Sequence, residues 1–135
     1  MDENNLKNRT KQFGLRIMRL VDALPNTMAG RAIGNQLIRS GTSVGANYRA
    51  ACRGRSRAEF AAKLGIVVEE ADECCFWLEL IMDGGLLSRE TVEPLHTEAE
   101  ELTAIFVSSV RTAQNKSKIS NQQSKIKNIR LSDHD

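Results

Sequence analysis

A strict period marks the apolar residues between Phe60 and Ile81. They recur at alternating steps of four and three residues, at Phe60, Leu64, Val67, Ala71, Cys74, Leu78 and Ile81. This heptad predicts an α-helix that packs along one continuous seam, as in a helical bundle. Two prolines and an aromatic fraction of 4% also argue against a β-sandwich or barrel, which needs many turns and aromatic-rich strands. The chain is therefore expected to be all-α.

Similar apolar stripes predict three more helices. We expect the four helices at about residues 5–24, 27–53, 57–83 and 88–113. Asn26 or Thr27 can cap the second helix. Ser56 and Glu59 have the spacing of a capping box, in which the serine accepts from an early helical amide and the glutamate reaches back to the serine amide. Short loops between long helices then predict one domain over residues 1–113, an antiparallel up-down-up-down four-helix bundle.

Four glycines of the second predicted helix, Gly30, Gly34, Gly41 and Gly45, lie on one side of it. Each costs about 1 kcal/mol of helix propensity relative to alanine. That cost is explained if the glycines let another backbone approach closely, or if the helix bends at residues 40–42. We expect both close packing and a bend.

Residues 114–135 are polar, with isolated isoleucines that cannot cover a core. This composition predicts a basic, mostly disordered tail outside the bundle. The alternative is a frayed extension of the fourth helix that becomes ordered against RNA or a neighbouring subunit.

The third predicted helix carries more apolar residues than one side of a small bundle can bury. Ile66, Phe76, Trp77 and Leu80 lie outside its heptad seam. A second apolar surface of this kind is typical of a protein interface, so these four residues are the candidate oligomer interface. The alternative is a core stripe that is wide enough to cover them.

Charge is distributed unevenly along the chain. Residues 1–60 carry a net charge of +7, residues 61–110 a net charge of −9 and residues 111–135 a net charge of +4. The basic segments are compatible with a nucleic-acid partner. They do not require one, because the two signs can also satisfy each other between helices or subunits.

Four arginines, Arg49, Arg53, Arg55 and Arg57, form what we call the arginine patch, at the junction of the second and third predicted helices. Guanidinium groups grip phosphate through two parallel hydrogen bonds, so the patch, together with Asn47, is the candidate nucleic-acid-binding site. The alternative is structural, because arginines on one helix commonly pair with acids on the next helix or on another subunit. Both can hold for different arginines.

Catalytic and metal-binding constellations are not evident in the sequence. Arg89 and His96 have the spacing of a ribonuclease motif found in other small helical bundles, yet no further residue supports it. Glu93 and His96 supply one Glu-x-x-His pair, where a di-metal bundle needs two. The three cysteines are odd in number and lack metal-ligand spacing, so we expect reduced core thiols. We expect no enzyme activity, no cofactor and no metal.

The hydropathy pattern predicts a cytoplasmic protein. No stretch approaches the roughly 18 uninterrupted apolar residues of a membrane span. Residues 1–12 are polar where a signal peptide needs an apolar segment. We therefore expect no membrane partner.

Residues 36–81 resemble the signature of the bacterial four-helix-bundle family named for proteins encoded in the intervening sequence of large-subunit (23S) ribosomal RNA. The segments Ser-Val-Gly-Ala-Asn-Tyr-Arg and Ser-Arg-Ala-Glu-Phe carry the resemblance, which covers roughly residues 10–112 and excludes the tail. It implies a left-handed antiparallel bundle that assembles as a ring-like homo-oligomer, a homopentamer. It implies no settled activity, because members of the family are mostly of unknown function.

Two functions follow as hypotheses. The first is a non-catalytic oligomeric scaffold that binds RNA or a ribonucleoprotein through Asn47 and the arginine patch. The second is a protein–protein interaction module without nucleic-acid contact, in which the arginines form salt bridges between subunits. The expected partners are further copies of the chain and, for the first function, RNA or a nucleic-acid-handling protein.

Overall fold

Four helices and no strand make up the part of the chain that the structure, a computed structural model, describes, which is residues 2–132. They are α1 (Glu3–Asp22), α2 (Met28–Cys52), α3 (Arg57–Asp83) and α4 (Arg89–Ser132). The all-α prediction is confirmed. The bounds of α1, α2 and α3 lie within about two residues of the predicted ones, the ordinary uncertainty of a helix end.

Side-chain caps set the beginnings of α2 and α3. The hydroxyl of Thr27 accepts from the amide of Gly30 at 3.1 Å, and the hydroxyl of Ser56 accepts from the amide of Glu59 at 3.1 Å. The second half of the predicted capping box differs, because the Glu59 carboxylate accepts from the backbone amide of Arg55, at 3.2 Å, instead of that of Ser56. That hydrogen bond lowers the pKa of Glu59.

The core lies between the four helices and contains the predicted seam. Every seam residue of α3 is buried except Phe60, which is half-buried and packs against the core. The stripes of the other helices supply Leu6, Phe13, Ile17, Leu20, Leu37, Val44, Tyr48, Ala51, Val92, Leu95, Ala99, Leu102 and Phe106. Both α1 and α3 pack on α2 and on α4.

The glycines of α2 allow α1 to approach closely. A β-carbon built at Gly41 would lie 2.7 Å from Cγ2 of Ile17, and one at Gly45 would lie 3.3 Å from Oγ1 of Thr10. The predicted close packing is confirmed, since a side chain at Gly41 would overlap its neighbour. The helix runs through residues 40–42 without a break, and the predicted bend stays a prediction.

The fourth helix does not end where the sequence analysis placed its end. It continues from residue 113 to Ser132, so a helical extension replaces the disorder predicted for residues 114–132, while residues 133–135 lie outside the described residues. The segment contains neither glycine nor proline, the residues that stop helices. The polar composition of this segment indicates that it lies outside the core. It does not indicate that the segment is not helical, because polar residues can also have high helix propensity. We call residues 114–132 the α4 extension.

The three cysteines are free thiols, as predicted, and two of them, Cys74 and Cys75, are buried. The thiol of Cys74 donates to the hydroxyl of Ser40 across the α2–α3 contact, with a sulfur–oxygen distance of 3.4 Å. Burial disfavours the thiolate and raises the pKa of Cys74 to about 12.

The raised pKa of Cys74 predicts a loss of stability in alkali. The unfolded thiol ionises above its ordinary pKa of 9.0, whereas the folded thiol keeps its proton up to about 12. Stability is therefore complete below the lower value and falls as the pH rises toward the upper one, by about 1.4 kcal/mol per pH unit for this group. Urea unfolding at several pH values between 9.0 and about 12 measures how the free energy of unfolding changes with pH. The variant Cys74→Ala should show a shallower slope, and equal slopes would contradict the assignment.

Candidate nucleic-acid interface

The arginine patch lies at one end of the bundle, where α2 ends and α3 begins. Arg49 is in the last turn of α2, Arg53 caps its carboxyl end, and Arg57 is the first residue of α3. All four arginines are exposed. The carboxyl end of a helix carries partial negative charge, which stabilises cations placed there. We call this end of the molecule the basic end.

Two carboxylates of α3 pair with another arginine of α2. Arg39 donates to Glu70 at 3.1 Å and also pairs with Glu73. Within residues 2–132, neither Arg49 nor Arg53 forms an ion pair or a side-chain hydrogen bond. Pairing with acids among the described residues, one form of the structural alternative, is therefore not what holds these two arginines.

Asn47 does not share the surface of the arginines. Residues two apart lie about 200° apart around a helix, so Asn47 and Arg49 point to different sides, while Arg49 and Arg53 share one. The amide nitrogen of Asn47 donates to the backbone carbonyl of Ser43 at 2.9 Å, within α2 itself. The structure therefore groups the arginines and leaves Asn47 apart.

A groove between α1 and α2 adds lysines to the basic end. It has a volume of about 300 Å³, and Lys7, Lys11 and Arg49 all line it. Gly14 and Gly45, also in the lining, have no side chains and so leave space between the two helices. The sequence analysis missed both lysines, although their spacing of four residues on a predicted amphipathic helix places them on one face.

A second cavity, of about 420 Å³, lies at the same end among the four helices. Arg57 and Lys116 supply its cations, while the half-buried Phe60 and the buried Tyr48 supply aromatic rings. Burial raises the pKa of Tyr48, so its hydroxyl stays protonated at neutral pH. The sequence analysis missed Lys116 because it placed this residue in a disordered tail. The apolar stripe of α4, which continues to the buried Ala113, was the available signal.

Another arginine, Arg9 of α1, has carboxylate partners in the structure. Arg9 joins α1 to α4 through Glu98, at 2.6 Å, and Glu101, at 2.7 Å. Because both nitrogens of its guanidinium fork reach Glu98, this contact is bidentate, the stronger kind of ion pair.

The two residues of the weak ribonuclease motif have separate partners. Arg89 pairs with Asp83 at 2.6 Å. His96 lies between two carboxylates, with Glu79 at 3.1 Å and Glu100 at 3.2 Å. Whether the pair has any activity is not tested by these contacts, and the absence of catalysis stays a prediction.

The candidate oligomer interface divides into two groups. Ile66, Phe76 and Leu80 are exposed on α3, by 43%, 53% and 37%. Trp77 is instead half-buried against the core, with its ring centroid 5.1 Å from that of Phe76. Its indole nitrogen is buried and has no hydrogen-bond partner among the described residues. The exposed three therefore remain the candidates for contact with another molecule.

No group of three or more His, Cys, Asp or Glu side chains in the described part of the chain could hold a metal ion. Likewise, none of its helices has a stretch that is both long and apolar enough to cross a membrane.

Comparison with known proteins shows similarity to one family and to solved structures. A family model described as 23S rRNA-intervening sequence protein matches residues 2–108. A crystal structure from Bacteroides thetaiotaomicron VPI-5482, of a protein with unknown function from the S23 ribosomal protein family, is similar with a TM-score of 0.76 and 35% sequence identity. That match covers 82% of this chain and 99% of the other. No curated protein matches. The α4 extension lies beyond the residues that the family model matches.

Proposed function

The chain belongs to the 23S rRNA-intervening sequence protein family, and we propose that it is a non-catalytic, oligomeric helical scaffold that binds RNA through the arginine patch. The family does not supply the activity, since the similar Bacteroides protein is itself described as having unknown function. The proposal rests on the surface of this chain.

One observation carries the RNA assignment. Arg49 and Arg53 lie on one face at the basic end, exposed, and without an ion pair in the described part of the chain. Arg39, about three turns earlier on the same helix, is the arginine of α2 that pairs with Glu70 and Glu73 of α3. Unpaired guanidinium groups on a common face are suited to successive phosphates, and Lys7 and Lys11 extend the same positive surface.

The cavity beside the patch favours single-stranded RNA. Phe60 lines it together with Arg57 and Lys116. Proteins that bind single strands combine a positive groove with aromatic rings on which unpaired bases stack. A duplex would leave the ring of Phe60 without a base to contact.

The finer architecture belongs to the same proposal. Ile17 lies opposite Gly41, and Thr10 lies opposite Gly45. The residue numbers of the contacting positions therefore increase along α2 while they decrease along α1. This supports the antiparallel up-down-up-down bundle, with the left-handed sense expected of its family. Exposed apolar residues on α3 support assembly into a ring-like homo-oligomer, for which the family resemblance implies five copies.

The double variant Arg49→Ala/Arg53→Ala tests the RNA site. Its affinity for a single-stranded RNA oligonucleotide should fall about tenfold or more, and the slope of log affinity against log salt should become shallower by about 1.4, the value expected for two lost phosphate contacts on a single strand. Fluorescence anisotropy over a salt series measures both quantities.

A matched control is Arg19→Ala/Arg31→Ala, which removes the same charge from exposed residues at the opposite end of the bundle. It should leave the salt slope unchanged. Light scattering on each variant gives the oligomeric state. If Arg49→Ala/Arg53→Ala binds RNA as the parent does, the site is wrong. If it dissociates the oligomer instead, the arginines join subunits and the protein is the interaction module of the second hypothesis.

A further inference from the structure

The α4 extension leaves the bundle at the basic end. Gln114 and Lys118 still line a shallow cavity with Ala58, Ala61 and Ala62 at the beginning of α3. After Lys118, the side chains described in residues 119–127 are exposed. The 14 residues from 119 to the helix end at Ser132 would extend about 21 Å at the rise of an α-helix.

This helix has an apolar stripe between basic residues. Ile119 and Ile126 are exposed by 53% and 49%, and their spacing of seven residues places them on one face. Lys125 and Lys127 flank Ile126, about 100° to either side. The α4 extension contains five Lys or Arg residues and no Asp or Glu. The α4 extension is an amphipathic helix of purely positive charge, and no side chain in the described part of the chain covers Ile119 and Ile126.

A surface of the opposite charge lies on α3. Ile66, Phe76 and Leu80 are exposed there, and the carboxylates of Glu69 and Asp72 are exposed beside them. In the described part of the chain, neither of these two carboxylates forms an ion pair. We call these five residues the α3 outer face. Its length from Ile66 to Leu80, 15 residues or about 22 Å, is close to the length of the free part of the α4 extension.

We propose that the α4 extension of one copy packs on the α3 outer face of a second copy. The isoleucines would cover Ile66, Phe76 and Leu80, while the lysines would face Glu69 and Asp72, as flanking charges do beside the seam of a coiled coil. The inference rests on the oligomeric part of the proposed function and adds the segment that joins the subunits.

The same chain cannot make this contact with itself. α4 runs past the beginning of α3 and away from the bundle, and it has neither glycine nor proline in residues 114–132 at which to turn back. A second copy is also a better occupant than RNA for the exposed isoleucines, because phosphate contacts leave an aliphatic stripe in water.

The variant Ile119→Asp/Ile126→Asp tests the contact in the full chain. Both side chains are exposed, so the bundle itself should keep its helicity by circular dichroism. The mass by light scattering should fall toward the 15.0 kDa of one chain. The control Asn121→Asp/Ser124→Asp adds the same two charges on the opposite side of the helix and should keep the mass of the parent.

Charge reversal gives an independent test. Lys125→Glu/Lys127→Glu should weaken assembly, measured as at least a tenfold rise in the dissociation constant of the oligomer. Adding Glu69→Lys/Asp72→Lys to the same chain should restore assembly, which a variant that merely misfolds could not do.

The outcomes separate this inference from the proposed function. If the isoleucine variant keeps the parent's mass, the docking is overturned and the oligomer must form elsewhere. If it keeps its mass but loses RNA affinity, the α4 extension is an RNA-binding element and the docking is again overturned. If the unaltered chain is already a monomer, the oligomeric part of the proposed function fails together with this inference.

Discussion

Replacing Phe106 by alanine is expected to lower the free energy of unfolding by about 3–5 kcal/mol, the usual cost of deleting a large buried ring. Phe106 is fully buried, and its ring centroid lies 5.2 Å from that of Tyr48, which is itself in the core. The substitution removes this contact and leaves a cavity between α2 and α4. Because a domain of this size is stable by only about 5–15 kcal/mol, the loss would be a large part of the total.

Phe76→Ala is the matched control for this prediction, since Phe76 is 53% exposed on the surface of α3. Urea unfolding at several protein concentrations distinguishes the two variants. Phe106→Ala should lose the same stability at every concentration. Phe76→Ala should lose stability only where the chain is assembled, because association stabilises by mass action. A loss of less than about 1 kcal/mol for Phe106→Ala would contradict the core assignment.

A single glycine-to-alanine change is expected to have opposite effects at two helical positions. At Gly41, the added β-carbon would lie 2.7 Å from Cγ2 and 3.0 Å from Cβ of Ile17. Since Cβ cannot rotate away, α1 and α2 must separate, and this overpacking should destabilise the protein by about 2 kcal/mol. At Gly65, nothing lies within 4 Å, and the gain in helix propensity should stabilise it by about 1 kcal/mol.

Chemical denaturation of Gly41→Ala and Gly65→Ala, compared with the parent, measures the change in the free energy of unfolding for each variant. The pair controls for helix propensity, because the chemical change is identical and both positions lie inside a helix. If Gly41→Ala were as stabilising as Gly65→Ala, the close approach of α1 to α2 would be wrong.

The fold was largely predictable because its information is local. The heptad of α3 and the caps at Thr27 and Ser56 each depend on residues within one or two turns. The end of α4 was not predictable in the same way. Hydrophobic periodicity identifies the residues that pack in a core. It gives no signal where a helix continues into solvent, as α4 does after Ala113.

The candidate site was predictable only in part. The arginines of the patch lie close together in the sequence, so the patch could be recognised from the sequence alone. Lys7 and Lys116, by contrast, lie near Arg49 and Arg57 through packing between helices, and each pair is far apart in the chain. The sequence also did not show which arginine forms ion pairs with acids of α3. That choice depends on the register between the helices, which a single sequence does not specify. Arg39, one of the arginines not assigned to the patch, is the one that does so.

The order in which the helices pack has a kinetic consequence. Among the described residues, most contacts between helices join consecutive ones, and α1 meets α4 as the exception. Contacts between residues that are close in the sequence, that is, a low contact order, favour rapid folding on the microsecond-to-millisecond scale of helical bundles. The closure of α1 on α4 must then bring Arg9 and Glu98 together across 89 residues, which costs more loop entropy than a contact between consecutive helices. We expect this seam to form last during folding and to open first under native conditions.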